Sequence, residues 1–409
     1  MKVLFLNQFF WPDSSATSQQ LTDLATGLAE RGHDVSVLCG EGGYAAAATG
    51  TPPPVTVFRV ASLPFARGRI GRVLSYLSFY VSAAVRGLTV ARPDVVVSLT
   101  TPPVISLLGS LIKIFRGSRH YIWEQDIYPD VAIDLGYFKA GGLLDRVTGL
   151  LADFSRRHAD GIIALGPCMR SRLIARGIDP AKIDIAENWA SGSAIEPMPR
   201  PGDPAALILL YSGNLGLAHD LDTLTSAMLN LRDDHRFRFI FVGSGGRRKE
   251  LADFCEANQI HSVELRPYVD RDKLNEGLAV GDIGLVTQHD ICCGSVVPSK
   301  VYGILAAGRP ILFIGPRAAT PALTVERHRC GWQISCGDSQ GLTQLLLRLA
   351  RDREEVYAAG KRARTALLEH YDLPLGIERI AQILQVQTNF ATENGLRSPL
   401  PQPQVNARS

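Results

Sequence analysis

Residues 190–214 read ASGSAIEPMPRPGDPAALILLYSGN. From Ala190 to Ala206 the stretch is rich in proline, glycine and serine and has no hydrophobic period, which is the composition of a linker. It is followed at once by Leu207 to Tyr211, a continuous apolar run of strand length that closes on Ser212-Gly213-Asn214. One pattern holds on both sides of the break. Before it come KVLFLNQ, the helical period of ATSQQLTDLATGLAERG, then DVSVLC, VTVFRVAS, a helix from about Arg69 to Val90, DVVVSL, a helix from about Val104 to Phe115, HYIWEQD and DGIIAL. After it come FRFIFVGSG, SVELRPY, DIGLVTQ and PILFIG, again separated by helical segments.

Strands this continuous in Val, Ile and Leu belong to parallel sheets covered on both faces, and alternation with helices predicts doubly wound α/β domains. With 409 residues the chain exceeds one ordinary core. The expected organisation is therefore a domain at 1–189, a linker at 190–206 and a second domain at 207–387. The last helix is free to pack back on the first domain, and the polar, proline-containing 388–409 forms a disordered tail. Two such domains leave a cleft, and ligands of open α/β sheets sit beyond the carboxyl ends of the strands.

Composition excludes several classes. The formal net charge of +3 gives no argument for nucleic acid. Seven scattered cysteines without a C-x-x-C pair suggest reduced thiols in a cytosol. Vicinal Cys292 and Cys293 lack a His or Cys partner at zinc-ligand spacing, so no metal is expected. The opening MKVLFLNQFF is too short in its apolar run, and too interrupted, for a signal peptide. The longest apolar candidate, Val95 to Phe115, contains Pro102-Pro103 and Lys113 and does not read as a membrane span.

Three loops of the second half collect at carboxyl ends of strands. YSGNLG places Gly213, Asn214 and Gly216 in a tight turn. FVGSGGRRKEL places Gly243, Ser244, Gly245 and Gly246 ahead of a helix beginning near Arg247, an arrangement that offers free N–H groups to an anion. VVPSKVYGILAAGRP puts Pro298 in the first turn of a helix, with Val301, Ile304 and Leu305 on one face and Gly308-Arg309-Pro310 as its stop. A lysine at a helix start opposes the macrodipole. Ser299 and Lys300 thus suit a diphosphate held by an ammonium and free amides. The other reading makes Ser299 a plain cap and Lys300 a solvated surface residue.

These stretches, with NQFFWPDSSATSQQLTDLATGLAERGHDVSVLC, WEQDIYPD, YSGNLGLAHDLDTL, VGSGGRRKEL and PSKVYGILAAGRP, resemble the retaining glycosyltransferases of the GT-B fold in family 4. More closely, the chain resembles bacterial enzymes that build colanic acid, O-antigen and capsule, and the resemblance runs from Met1 to about Gln387. The resemblance implies two Rossmann-like domains, a nucleotide-sugar donor on the C-terminal one and an acceptor on the N-terminal one. It also implies retention at the anomeric carbon, and no cofactor or essential metal. Many members carry two glutamates where Ser295 and Gly303 stand, and an Arg and a Lys where Asn214 and His219 stand. Lys300, Arg247 and Arg248 are then the remaining cations for the diphosphate, Lys300 foremost. The donor set is Gly213, Asn214, Gly216, His219, Gly243, Ser244, Gly245, Arg247, Ser299 and Lys300.

On the acceptor side Ser14, Ser15 and Ala16 form a small-residue turn before the first helix, which reads equally as an ordinary N-cap. Glu124, Asp126 and Asp130 are carboxylates after a central strand, and could take a proton or orient a sugar, or simply make structural hydrogen bonds. Asp126 is the catalytic candidate beside Lys300. The leaving diphosphate can itself take the acceptor's proton, so no nucleophile is assigned. Between Ala61 and Trp123 there are eight cations and one acid, Asp94, among many apolar residues. Such a basic apolar segment, 67–119, can lie on an anionic membrane surface, as a polyprenyl-diphosphate-linked acceptor would require, or can be a buried helix with snorkelling arginines. A cytoplasmic enzyme peripheral to the inner face of the plasma membrane follows from the first reading. His33, His158, His261 and His328 read as structural. Two alternatives compete: a nucleotide-sugar 2-epimerase on the same fold, and a catalytically silent binding protein.

Overall fold

A computed structural model describes residues 1–42, 51–63, 69–201, 205–268 and 273–389. The first half runs β1 (Lys2–Leu6), α1 (Ala16–Glu30), β2 (Asp34–Gly40), β3 (Thr56–Val60), α2 (Arg69–Thr89), β4 (Val95–Ser98), α3 (Ser106–Arg116), β5 (Arg119–Glu124), α4 (Asp130–Asp134), α5 (Leu143–His158), β6 (Gly161–Ala164), α6 (Pro167–Ala175) and β7 (Ile183–Ile185). Its strands form one seven-stranded parallel sheet in the order β3-β2-β1-β4-β5-β6-β7.

The second half runs β8 (Leu207–Ser212), α7 (Asp222–Asn230), β9 (Phe237–Val242), α8 (Arg248–Ala257), β10 (Val263–Arg266), α9 (Leu274–Ala279), β11 (Ile283–Thr287), α10 (Lys300–Ala306), β12 (Ile311–Ile314), α11 (Thr320–His328), β13 (Gly331–Ile334), α12 (Ser339–Arg351), α13 (Arg353–Ala366) and α14 (Leu373–Asn389). Its six strands, also parallel, are ordered β10-β9-β8-β11-β12-β13. Each sheet is a doubly wound, Rossmann-like arrangement, as expected from the sequence. Every residue of β4, β6, β11 and β12 is buried, which is why these strands read as uninterrupted apolar runs. In each sheet the strand order reverses beside the first strand, between β1 and β4 and between β8 and β11, and the carboxyl ends there open a crevice.

The last helix crosses back. Ile377, Ile380, Ala381 and Leu384 of α14 are buried in the N-terminal core, beside Leu21, Leu24 and Leu28 of α1. The approach is close. A Cβ at Gly27 would lie 2.4 Å from Ile377 Cδ1, and one at Gly376 would lie 2.2 Å from the Trp189 ring. Trp189 in turn stacks on Trp123 of β5, with ring centroids 5.8 Å apart. α14 continues through Thr388 and Asn389, two residues into the stretch expected to be tail; residues 390–409 lie outside the described residues.

Candidate functional site

On the C-terminal side the strands β8 and β9 end in glycine loops that interlock. Gly213 and Gly243 both have φ of +135° and Gly245 has +137°, a region that side chains disfavour. A Cβ at Gly243 would stand 2.2 Å from the Gly213 carbonyl oxygen, and one at Gly245 equally close to that of Leu215. The Gly213 amide donates to Val242 O at 2.9 Å, Leu215 to Ser244 O at 2.7 Å and Arg247 to Leu215 O at 3.1 Å. Each loop thus uses part of its backbone to hold the other. The amides of Ser244, Gly245 and Gly246 have no partner among the described residues.

Helix α10 starts later than its proline suggests. Ser299 is the N-cap, its side chain makes no cap hydrogen bond, and Lys300 is the first helical residue, with Pro298 outside. Lys300 does not reach into solvent. Its Nζ is buried, finds no hydrogen-bond acceptor among the described residues and lies 3.6 Å above the centre of the Tyr211 ring. Burial lowers its pKa to about 7. The solvated-lysine reading is thus excluded by position, and the cation faces the first glycine loop: a Cβ at Gly213 would meet Nζ at 3.6 Å.

His219 completes this group. Its ring meets Tyr211 edge-on at 5.6 Å, and Nδ1 is 2.6 Å from Thr287 O, so Nδ1 carries the proton and donates to that carbonyl. Burial first, and the Lys300 charge second, push its pKa down to about 3, which keeps it neutral. Tyr211 donates its hydroxyl to Asn214 O at 2.8 Å and stacks on Phe241. Arg247 is already committed: Nη2 and Nε grip Glu250 at 2.6 and 2.8 Å, and Nη1 donates to His219 O at 2.8 Å. It braces the loop, and little of its charge is left for a ligand. Arg248 is held by Gly243 O and Arg266 O. Gly216 accepts at its carbonyl from the His219 amide at 3.3 Å, closing the turn.

On the N-terminal side the three carboxylates separate into two kinds. Glu124 pairs with Arg156 at 2.7 Å, both side chains 3% exposed. Asp130 is held by Arg172 at 2.7 Å and by Arg176 at 2.5 Å. Each therefore has a guanidinium partner, which is the structural role that the sequence left open beside acceptor binding. Asp126 differs. Burial, followed by the Glu124 charge, raises its pKa to about 6. It lines a cavity of about 10 Å³ together with Thr100, Ser106 and Tyr128, room for one water molecule. The Thr100 hydroxyl is buried without a partner among the described residues. Of the small-residue turn, the Ser15 amide donates to Asp13 Oδ1 at 2.9 Å, the Ser15 side chain makes no cap bond, and Ala16 is exposed as the first residue of α1.

The two sides touch at Asp126. It forms an antiparallel bridge with Val296, and Ile127 N donates to Ser295 O at 2.8 Å. Arg172 reaches across to Ile291 O and Cys293 O, both at 3.1 Å. Ser295 is buried and donates to Cys292 O. Tyr211, Thr100, Arg156 and Arg172 were not singled out from sequence. Only Tyr211 carried a signal there, as the aromatic that closes a buried strand just before a glycine turn.

The basic count of 67–119 is also altered by the fold. Arg116 donates to Leu88 O and Val90 O, Arg92 to Gly117 O, Arg119 to Leu384 O, and Lys113 pairs with Asp160 at 2.7 Å. Much of that charge is structural. Arg67 and the side chains of Arg69 and Arg72 lie outside the described residues.

Residues 15–189 match the family model described as a glycosyl transferase 4-like domain, and residues 206–352 the one described as glycosyl transferases group 1. The chain is similar to the probable glycosyltransferase WbjE of Pseudomonas aeruginosa, 24% identical over 298 residues that cover 71% of this chain and 74% of that protein. It is similar also to the putative colanic acid biosynthesis glycosyl transferase WcaI of Escherichia coli K12, 26% identical over 339 residues, 75% of this chain and 82% of that one. Among solved structures, Anabaena HepE in complex with UDP shares the fold with a TM-score of 0.71 at 14% identity, covering 94% of this chain and all of that one (100%). WaaG, a glycosyltransferase involved in lipopolysaccharide biosynthesis, shares it at 0.68 and 16% identity, over 93% of this chain and 99% of that one.

Proposed function

The chain is a GT-B glycosyltransferase of the family 4 type, and we propose that it moves a sugar, with retention, from a nucleotide-sugar to a polyprenyl-diphosphate-linked saccharide at the inner face of the plasma membrane. The product would enter a bacterial surface polysaccharide, a reading supported by the similarity to WcaI, which is named for colanic acid biosynthesis.

The observation that carries this reading is the Lys300 ammonium. A buried cation without a hydrogen-bond acceptor is costly, and a diphosphate is the ligand that removes the cost. It stands over Tyr211 and beside the Gly213 turn, at the carboxyl edge of β8, where an open α/β sheet takes its ligand. HepE, which shares the fold, has been solved with UDP and with UDP-glucose.

In the reaction the acceptor oxygen bonds to the anomeric carbon while the bond from that carbon to the diphosphate oxygen breaks. Lys300 and the amides of Ser244 to Gly246 stabilise the charge that develops on the leaving group. The acceptor's proton goes to the departing diphosphate or to Asp126, whose pKa of about 6 suits a base near neutrality. Glu124 and Asp130, occupied by arginines, take no part as nucleophiles. No cofactor is needed for this chemistry.

The test is a screen of UDP-, GDP- and dTDP-sugars against native membranes, read by mass spectrometry of the lipid-linked product. Transfer from one donor, lost in Lys300→Ala, supports the reading. Formation of an epimeric nucleotide-sugar without any acceptor would replace it by an isomerase, and wild-type protein that binds no nucleotide by calorimetry would end it.

A further inference from the structure

Helix α5 is inverted for a helix in water. It buries Gly149, Ala152, Ser155 and Arg156 against the domain. Its outward face carries Leu143, Leu144, Val147, Leu150, Leu151 and Phe154, each between 40% and 79% exposed. These positions recur at three- and four-residue steps and form one apolar stripe along the whole helix. A stripe of this kind should face a core, and exposed patches of this size mark an interaction surface.

The stripe is part of a wider face. α3 packs between α2 and α5. At its end Ile114 and Phe115 are 64% and 68% exposed, and Lys113 ties this end to α5 by donating to His158 O at 2.8 Å. On the far side α2 turns Leu77 and Val81 outward, 56% and 68% exposed. The charges choose the occupant. Lys139, Arg146 and Arg157 are exposed and have no ion-pair partner among the described residues. The two acids of α5 are held: Asp145 accepts from the Gly141 amide at 2.8 Å, and Asp153 is gripped by Arg176 at 2.8 Å. An apolar stripe flanked by unpaired cations fits the headgroup region of an anionic bilayer, where the stripe enters the acyl boundary and the cations meet phosphates.

We propose that α5, together with the tip of α3 and the outer face of α2, seats the enzyme on an anionic leaflet, α5 being the principal anchor. This builds on the transferase reading above and moves its membrane contact beyond the basic segment 67–119. α3 and α5 also wall the Asp126 cavity, through Ser106 on one side, with Ile105 just before it, and Ala152 and Arg156 on the other. Docking by these helices therefore brings Asp126 beside the leaflet, so that an acceptor's sugar reaches the cleft while its lipid tail stays in the bilayer.

Co-sedimentation of the full chain with extruded vesicles tests this, comparing phosphatidylglycerol/phosphatidylethanolamine with phosphatidylcholine. Wild-type protein should partition onto the anionic vesicles, less so at high salt, and poorly onto phosphatidylcholine. Leu150→Asp/Phe154→Asp, at exposed positions, should keep its thermal midpoint and lose roughly tenfold or more of the partition. Leu77→Asp/Val81→Asp should lose less. If the α5 variant partitions like wild type, the assignment fails even when the α2 variant does not bind. A dimer in light scattering that the α5 variant splits into monomers would give the face to a second copy and overturn the lipid assignment. Nucleotide binding by calorimetry, with UDP, GDP and dTDP each tried, should be the same in all three proteins; absence of binding to all three nucleotides in wild type would fell the transferase reading and leave the vesicle result standing.

Discussion

Lys300 Nζ lies 3.6 Å from the centre of the Tyr211 ring, with no hydrogen-bond acceptor among the described residues. The ring face supplies partial compensation, of order 1–2 kcal/mol for a desolvated cation. That is less than burying an ammonium costs, and the difference appears as the pKa of about 7. On the proposed function, an anion that arrives with the substrate makes up that difference.

Replacing the cation should damage the chemical step. Lys300→Ala is expected to lower kcat by about 10²-fold or more, the scale of one lost preorganised donor. Steady-state turnover with the donor found by the screen measures it. Turnover within a factor of about two of wild type would refute the role.

The same residue makes nucleotide binding depend on pH. In the unliganded fold its pKa is depressed from 10.5 to about 7, so between those values the unfolded chain holds more protons than the native one. Stability of the unliganded protein should therefore rise as pH goes from 7 towards 10. A bound diphosphate restores the charge, so binding of the donor's nucleoside diphosphate above pH 7 should take up a proton and weaken as pH rises. Calorimetry in buffers of different ionisation enthalpy reads the uptake directly. Lys300→Met, which keeps the apolar stem, should bind weakly with no uptake.

Asp126 should set the acid limb of activity. With its pKa raised to about 6, kcat/KM should climb as pH passes that value, and Asp126→Asn should remove the limb and cost between about 10²- and 10⁴-fold. A variant that keeps both rate and limb would return Asp126 to a purely structural role.

The buried Arg156–Glu124 pair, both side chains 3% exposed, tests the packing beneath the site. Arg156→Met strands a carboxylate and should destabilise by about 3–5 kcal/mol. Arg156→Met with Glu124→Gln should recover most of that loss in thermal or urea unfolding. Equal losses in the single and double variants would contradict the assignment.

Gly376→Ala sets helix propensity against packing. Alanine in a helix gains up to about 1 kcal/mol over glycine. Its Cβ, however, would lie 2.2 Å from a Trp189 ring that is buried and stacked on Trp123. Overpacking typically costs 1–3 kcal/mol, so a net loss of about 1 kcal/mol is expected in chemical denaturation. A more stable variant would mean that α14 docks less closely than described.

Local pattern carried the architecture. A strand buried on both faces must be apolar throughout, and the stop at Ala190–Ala206 is a matter of composition, so two doubly wound sheets could be read from one chain. The glycine loops were legible for a related reason, since positive φ and backbone contact at Gly213, Gly243 and Gly245 tolerate little else. Which charges are free was a different matter. Glu124 and Asp130 look like site residues in the sequence and are paired with arginines that only folding brings near, while the choice between a diphosphate-facing and a solvated Lys300 is decided by the burial of its ammonium. The inverted face of α5 escaped for the same reason. Hydrophobic period reveals a helix with an apolar side, but which side meets the domain depends on what packs beneath, and here Gly149 and Ala152 let α5 lie close with its large side chains outward. Sequence determines the elements and their apolar faces because these are short-range properties of the chain. Pairing, burial and charge compensation at this site join residues as far apart as Arg172 and Cys293, 121 positions along the chain, and only the tertiary structure decides them.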